Sequence, residues 1–309
     1  MQVTHGTIKP GGGPVALTIG NFDGVHRGHR AMLHRLVERA RELQLPCKVL
    51  TFEPHPREYF SPATAPTRLT RLREKLELIA EAGVGEVHVL RFGAPLAAIP
   101  ATRFVDDVLL QGLGVRWLLV GRDFRYGAKR AGDFAALQSA SATKGFALEA
   151  MGDVMEGSQR VSSSGVRMAL ASGDLASAER LLGRAYSMSG RVAHGEKLGR
   201  TLGFPTANIV LRRRPPLAGV FAVAAELEET HALMRGVASV GRRPTVRENA
   251  PPLLEVHLFD WSGDLYGRHL RVKFLRKLRD EEKYGGLDAL RAAIGQDVAQ
   301  AKDYFRKHG

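Results

Sequence analysis

The sequence predicts two domains: an α/β unit built on a doubly wound parallel sheet, then a small antiparallel β-barrel with a C-terminal helix. Three observations carry this. Apolar runs alternate with helical stripes through the first half, the pattern of strands joined by helical crossovers. Helical periodicity stops near Arg184, and short runs of β character separated by Gly, Pro and Asn replace it as far as Phe274. The chain has 309 residues, which at roughly 150 residues per domain is about two domains.

Val15–Ile19 is a short apolar run and reads as a strand. Met32, Leu33, Leu36, Val37 and Ala40 form one stripe, so a helix runs from about Gly28 to Leu43. A strand follows over Lys48–Phe52, a helix over Arg71–Ala82, a strand over Glu86–Leu90, a helix over Thr102–Gln111 and a strand over Trp117–Val120. Helical signals return at Ser163–Leu170 and Leu175–Leu182. The β half offers Tyr186–Val192, Gly219–Leu227, Leu233–Val240, Pro252–Phe259 and Leu270–Phe274, and a helix over Leu287–Lys307 follows. The boundary falls at 184/185, dividing the chain into 1–184 and 185–309.

Hydrophobic residues make up 44% of the chain, enough to bury a core at this length, so disordered and collagen-like classes are excluded. The one cysteine, Cys47, can form no internal disulfide, and no Cys/His cluster has zinc-site spacing, which points to a reducing, cytoplasmic compartment. Met1–Pro14 has no apolar core, so no secretory signal is expected. No run approaches the ~20 apolar residues of a membrane helix, so no membrane is expected either. Lys and Arg number 45 against 32 Asp and Glu, a net charge of +13. Such a chain prefers polyanions, which could be nucleic acid or a phosphate-rich small molecule. Its densest run, Arg212–Arg214, precedes prolines and reads as a solvated loop. Charge does not choose between the partners.

Local chemistry is sharper. Gly20-Asn21-Phe22-Asp23-Gly24-Val25-His26-Arg27-Gly28-His29 follows a strand and opens a helix. Glycines permit tight turns and close approach to a ligand, and a helix N-terminus presents free N–H groups and partial positive charge. His26 and His29 are three apart, so both can face one phosphate group and stabilise charge there. Gly121 to Gly127 also follows a strand, and its Asp123, Arg125 and aromatics could hold a polar, planar ligand. Arg160 to Arg167 places Ser162, Ser163 and Ser164 at a helix start between arginines. An N-cap explains one serine; phosphate contacts explain the arginines as well.

These segments resemble the HxGH nucleotidyltransferases related to class I aminoacyl-tRNA synthetases. The longer string is similar to the FMN adenylyltransferase half of prokaryotic bifunctional riboflavin kinase/FAD synthetases, as are Phe52–Pro56, Asp123–Gly127 and the triple serine, whose Ser164 stands where threonine is commoner. The resemblance implies that ATP sits beside His26 and His29 while the FMN phosphate attacks its α-phosphate. Asn21, Asp23, Gly28, Ser162, Ser163 and Arg167 then serve the ATP phosphates, with Asp123 and Arg125 nearer adenine or flavin, and Mg²⁺ assists.

In the second half, Leu198 to Asn208 lacks the ending of a Walker A loop. Thr206 and Asn208 are two apart, so an extended segment puts both oxygens on one face, a set that suits Mg²⁺; a plain turn explains them equally. Leu254, Val256 and Leu258 alternate, leaving Glu255 and His257 on the other face, where Glu255 could accept a hydroxyl proton or simply be solvated. Gly199-Arg200-Thr201-Leu202-Gly203-Phe204-Pro205-Thr206-Ala207-Asn208 resembles the riboflavin kinase signature. So do Gly219–Val223, Gly241–Thr245, Asp264–Gly267 and Lys277–Glu281, with Phe221 and Val246 as departures. The resemblance implies γ-phosphoryl transfer from ATP to riboflavin, with Thr206 and Asn208 on Mg²⁺ and phosphate, Glu255 as base, and Arg279 and Tyr284 closing over flavin. The expected small molecules are riboflavin, FMN, ATP and FAD. Two rivals are a chain keeping one activity, and a basic RNA-binding protein on a synthetase-like scaffold. No KMSKS-like loop or aromatic stacking signature supports the latter, so no nucleic acid is expected.

Overall fold

The computed structural model describes residues 1–195, 198–241 and 251–308. It contains two compact units, Met1–Pro66 with Thr70–Ser162, and Thr67–Leu69 with the chain from Ser163 onward.

The first unit is a six-stranded sheet with every neighbouring pair parallel, in the order β1-β4-β3-β2-β5-β6. Its strands are β1 (Gln2–His5), β2 (Val15–Ile19), β3 (Cys47–Glu53), β4 (Glu86–Arg91), β5 (Val115–Gly121) and β6 (Ala147–Met151). Its helices are α1 (Arg27–Glu42), α2 (Pro56–Phe60), α3 (Leu72–Glu81), α4 (Ala94–Ala97), α5 (Ala101–Arg103) and α6 (Phe134–Lys144). After α5 the helix widens over Phe104–Gly112, where Leu113 N–H donates to the Val108 carbonyl five residues back, at 3.0 Å. A hairpin of β7 (Met155–Glu156) and β8 (Gln159–Arg160) follows.

β2 shows why the sheet is parallel: all five of its residues are buried, as expected of a strand covered on both faces. Ala16 packs with Leu33, Leu36 and Ile79 from α1 and α3. Its neighbours Val15 and Leu17 pack with Val105, Leu109 and Leu137 on the opposite face. Helices therefore cover both faces, which is the doubly wound arrangement. The sequence pattern does not announce β1, β6 or α6. β1 and β6 are edge strands without a single fully buried residue, and α6 buries only Leu137.

The second unit begins with α7 (Ser163–Ser172) and α8 (Leu175–Leu182). An antiparallel sheet follows, in the order β10-β13-β12-β11-β14-β9. Its strands are β9 (Ser187–Arg191), β10 (Ala207–Val210), β11 (Gly219–Leu227), β12 (Leu233–Gly241), β13 (Leu253–Leu258) and β14 (His269–Arg279), with α9 (Leu198–Thr201) before β10. Ala193 N–H donates to the Asn208 carbonyl at 2.7 Å, linking the chain after β9 to β10, so the sheet nearly closes into a barrel. Phe221 and Phe274 meet inside it, edge to face at 5.3 Å. α10 (Leu287–His308) packs Ala301 and Phe305 against Val220, Ala222 and Val237.

β14 runs past Phe274 to Arg279, longer than its apolar run, because β11 keeps pairing with it as far as Val220 opposite Arg279, across two register shifts. From the Gly241–Thr245 motif, residues 242–245 lie outside the described residues, as does Val246.

Candidate active sites

β2 and β5 are neighbours, but the chain leaves them in opposite directions. β2 leads through α1 to β3 and β4, whereas β5 leads to β6. Strand order reverses between them, and an open α/β sheet takes its ligand outside the carboxyl ends at such a point. The loop from Gly20 leaves the carboxyl end of β2, and the loop from Arg122 leaves that of β5.

The β2–α1 loop is held in an unusual shape. Phe22, Gly24 and Val25 have φ of +48°, +86° and +38°. Left-handed backbone at a non-glycine residue costs about 1–3 kcal/mol. Phe22 and Val25 are both completely buried in the core under α1. Burial of such side chains returns about 1.5–3 kcal/mol each, which offsets the strain. Asp23 is 2% exposed; its Oδ1 accepts from Thr70 N–H at 3.0 Å and Thr70 Oγ1 at 3.2 Å, while Gly24 N–H donates to Thr70 Oγ1 at 3.0 Å. Asn21 is half-buried, and its carbonyl accepts from Thr51 Oγ1 at 3.4 Å.

His26 is the N-cap of α1: its Nδ1 accepts from His29 N–H at 3.2 Å. The two imidazoles stack, with centroids 3.6 Å apart and planes within 15°. Gly28 makes this possible, because a Cβ there would stand 3.2 Å from the His26 ring. Both rings thus share the first turn of a helix whose N-terminus opens at the carboxyl edge of the sheet.

On the β5 side, Asp123 is exposed and accepts from Arg160 Nη2 at 2.8 Å. Arg125 donates to Asp133 Oδ2 at 2.8 Å, and Asp133 caps α6 through Ala136 N–H at 2.9 Å. That N–H, and after it Arg125, holds the Asp133 carboxyl below the usual carboxylate range. Arg27 at the start of α1 pairs with Glu156 of the hairpin. Ser162 is half-buried at the end of the first unit. Ser163 opens α7 in the second unit, where Arg167 Nε donates to the Thr67 carbonyl at 2.7 Å.

In the barrel, the register sets Asn208 of β10 directly opposite Glu255 of β13, and Ser239 of β12 opposite Glu255 on its other side. Directly opposed residues share a face, with Cβ atoms about 4.5–5.5 Å apart. β13 alternates as its sequence predicts, with Leu254, Val256 and Leu258 buried and Glu255 and His257 half-buried. His257 Nδ1 stands 2.9 Å from the Pro205 carbonyl, and its ring meets Phe204 edge-on at 5.5 Å. The Phe204–Thr206 segment is thereby anchored to β13. Gly203 turns the chain with φ +87°, and Phe204 N–H donates to Gly199 O at 2.7 Å. Asn208 is 5% exposed. Its Nδ2 donates to the Thr206 carbonyl at 3.3 Å, while its Oδ1 is buried with no hydrogen-bond partner among the described residues.

Arg279 donates to both oxygens of Asp297, at 2.8 and 2.7 Å, and lies over the Tyr284 ring at 5.7 Å. Asp297 is 3% exposed. Stripping a partner from a buried pair costs about 3–5 kcal/mol, so Arg279 is firmly seated. Glu281 accepts from Ser239 Oγ at 3.4 Å and rests against Gly241. Crowding of its carboxyl by protein, then the charge of Glu255, raises its pKa. Ser239 and Asp297 belong to the neighbourhood that sequence reasoning does not find, since strand register and helix packing bring them there.

A FAD synthetase family model matches residues 11–165, and a riboflavin kinase model matches residues 182–305. The bifunctional riboflavin kinase/FMN adenylyltransferase of Escherichia coli K12 is 50% identical over 290 residues, covering 94% of this chain and 92% of that one. The chain belongs to the bifunctional riboflavin kinase/FMN adenylyltransferase family. The Pseudomonas fluorescens member is 49% identical over 305 residues, 98% of this chain and 97% of its own. A solved structure from Streptococcus pneumoniae, described as a macrolide-efflux protein, has a TM-score of 0.80 at 26% identity over 96% of this chain and 97% of that one. That description disagrees with both family matches. Among the described residues no helix is long and apolar enough to cross a membrane.

Proposed function

We propose that this chain carries both activities of its family. It phosphorylates riboflavin to FMN with one ATP, then adenylylates FMN with a second ATP to give FAD and pyrophosphate. The observation that carries this is the placement of the two signature segments in separate units. One opens α1 at the switch point of a parallel sheet, and the other lays Asn208 beside Glu255 on one face of a barrel.

In the first site, an oxygen of the FMN phosphate attacks the α-phosphorus of ATP and the bond to pyrophosphate breaks. An ionised phosphate needs no base, so the protein's task is alignment and charge stabilisation. Asn21, His26 and His29 line the ATP phosphates. Gly28 lets the rings stack, and Asp23, bonded to Thr70, holds the loop in shape. Ser162, Ser163 and Arg167 are assigned to the same phosphates on their sequence motif, and Asp123 and Arg125 to the adenine or flavin side.

In the second site, Glu255 takes the proton of the riboflavin 5′-hydroxyl as its oxygen attacks the γ-phosphorus and ADP leaves. The residues fit a divalent cation: the Thr206 carbonyl occupies the NH₂ end of the Asn208 amide, and buried Oδ1 is left as an oxygen donor. Thr206 and Asn208 would hold Mg²⁺, which neutralises phosphate charge during the transfer. Arg279 and Tyr284, stacked on each other, are assigned to the flavin. We place the functional boundary at 184/185, between α8 and β9; the family matches leave 166–181 to neither half. The lone Cys47 suits a cytoplasmic protein.

Purified protein incubated with riboflavin, ATP and Mg²⁺ and resolved by chromatography gives FMN first and FAD after it. A mixture that holds riboflavin alone after many turnovers' time contradicts the assignment.

A further inference from the structure

Among the described residues of the first unit, Asp23 and Lys75 are the two buried members of the Asp, Glu, Lys and Arg set, at 2% and 1% exposure. Lys75 lies on the same face of α3 as the buried Ile79, four residues on. Its Nζ stands 3.3 Å from Thr51 Oγ1, and that hydroxyl, itself completely buried, donates to the Asn21 carbonyl at 3.4 Å. Asp23, two residues along the same loop, is bonded to Thr70, just before α3. The loop that opens at the switch point is thus fastened from beneath by a buried cation and a buried anion, through two threonine hydroxyls.

Packing does not explain an ammonium here. A methionine would fill the same space, and burying charge costs free energy unless its hydrogen bonds and its charge are used. Given the adenylyltransferase reading above, on which this inference rests, the use is at hand. The ammonium polarises the Thr51 hydroxyl and so fixes the Asn21 carbonyl.

We propose that Lys75 is a positioning residue for adenylyl transfer, acting through Thr51 on the Asn21 backbone. The test uses the full chain with FMN, ATP and Mg²⁺, comparing wild type, Lys75→Met, Thr51→Val and the double variant. Riboflavin phosphorylation and thermal melting are followed in the same samples. Both single variants are expected to lower kcat for FAD formation by roughly 10- to 100-fold, the size of a misplacement effect, with KM for ATP within about threefold. FMN formation is unchanged, and the double variant is no worse than Lys75→Met, because the two residues act in series. A wild-type kcat in Lys75→Met, or a loss confined to KM, overturns the proposal. If Lys75→Met does not fold, Thr51→Val decides by the same criteria. A wild-type chain that makes FMN and no FAD overturns the adenylyltransferase reading itself, a result distinct from normal FAD synthesis by the variants.

Discussion

The stacked pair of His26 and His29 has one member that caps α1: His26 accepts from the His29 N–H, and His29, half-buried, stacks on its ring. On the proposed assignment, replacing His29 removes a phosphate-facing imidazole without removing the cap acceptor. We expect His29→Ala to lower FAD formation by about 10²–10³-fold, the usual loss for one charge-stabilising donor, with FMN formation near normal. Initial rates with FMN and with riboflavin check this. Glu255 lies opposite Asn208 on one side and Ser239 on the other in the strand register. Glu255→Ala is expected to lower riboflavin phosphorylation by about 10²–10⁴-fold, as for loss of a general base, while added FMN is still adenylylated. Equal losses of both reactions in either variant would refute the assignment.

At the scale of elements, α8 offers a test of the second unit. Asp174 is its N-cap, with Oδ1 accepting from Ser177 N–H at 2.9 Å. The Ser177 hydroxyl and N–H hold the carboxyl below its ordinary value. A depressed carboxyl stabilises the fold above its unfolded pKa, and that stabilisation is lost as pH falls through the native value. Asp174→Ala should cost about 1 kcal/mol at neutral pH. The gap in Tm between it and wild type should close below about pH 4, because the unfolded carboxyl titrates near 3.9. A gap independent of pH would show that the cap is not ionised.

The same scale explains what the sequence discloses. β2, β11 and α8 announce themselves because burial follows local periodicity, and their bounds agree with it residue for residue. β1 and β6 are edge strands with little buried surface, so no apolar run marks them. α6 carries alanine, serine and threonine around one buried leucine, so it has no stripe to read. The signature loops are legible because glycine, histidine and hydroxyl residues cluster in order. Their partners are not. Thr70 for Asp23, Asp297 for Arg279 and Ser239 beside Glu255 come from tertiary register, which no local pattern encodes.

For the whole molecule, two signature segments in separate units imply that the activities are separable within a mixture. His29→Ala protein supplies FMN from riboflavin, and Glu255→Ala protein converts FMN to FAD. Each alone makes FAD from riboflavin only at its residual rate, and the two mixed together make it far faster, after a lag in which free FMN accumulates. A mixture that fails although each variant keeps its own reaction would mean that FMN must pass within one chain. The central claim, two ATP-dependent transfers in sequence on one chain, is tested most directly by the fate of ATP's phosphorus atoms. With γ-labelled ATP and riboflavin, label should enter FMN and persist in FAD; with α-labelled ATP, it should enter FAD and never FMN. α-label in FMN, or flavin products carrying no label from either ATP, would contradict the account.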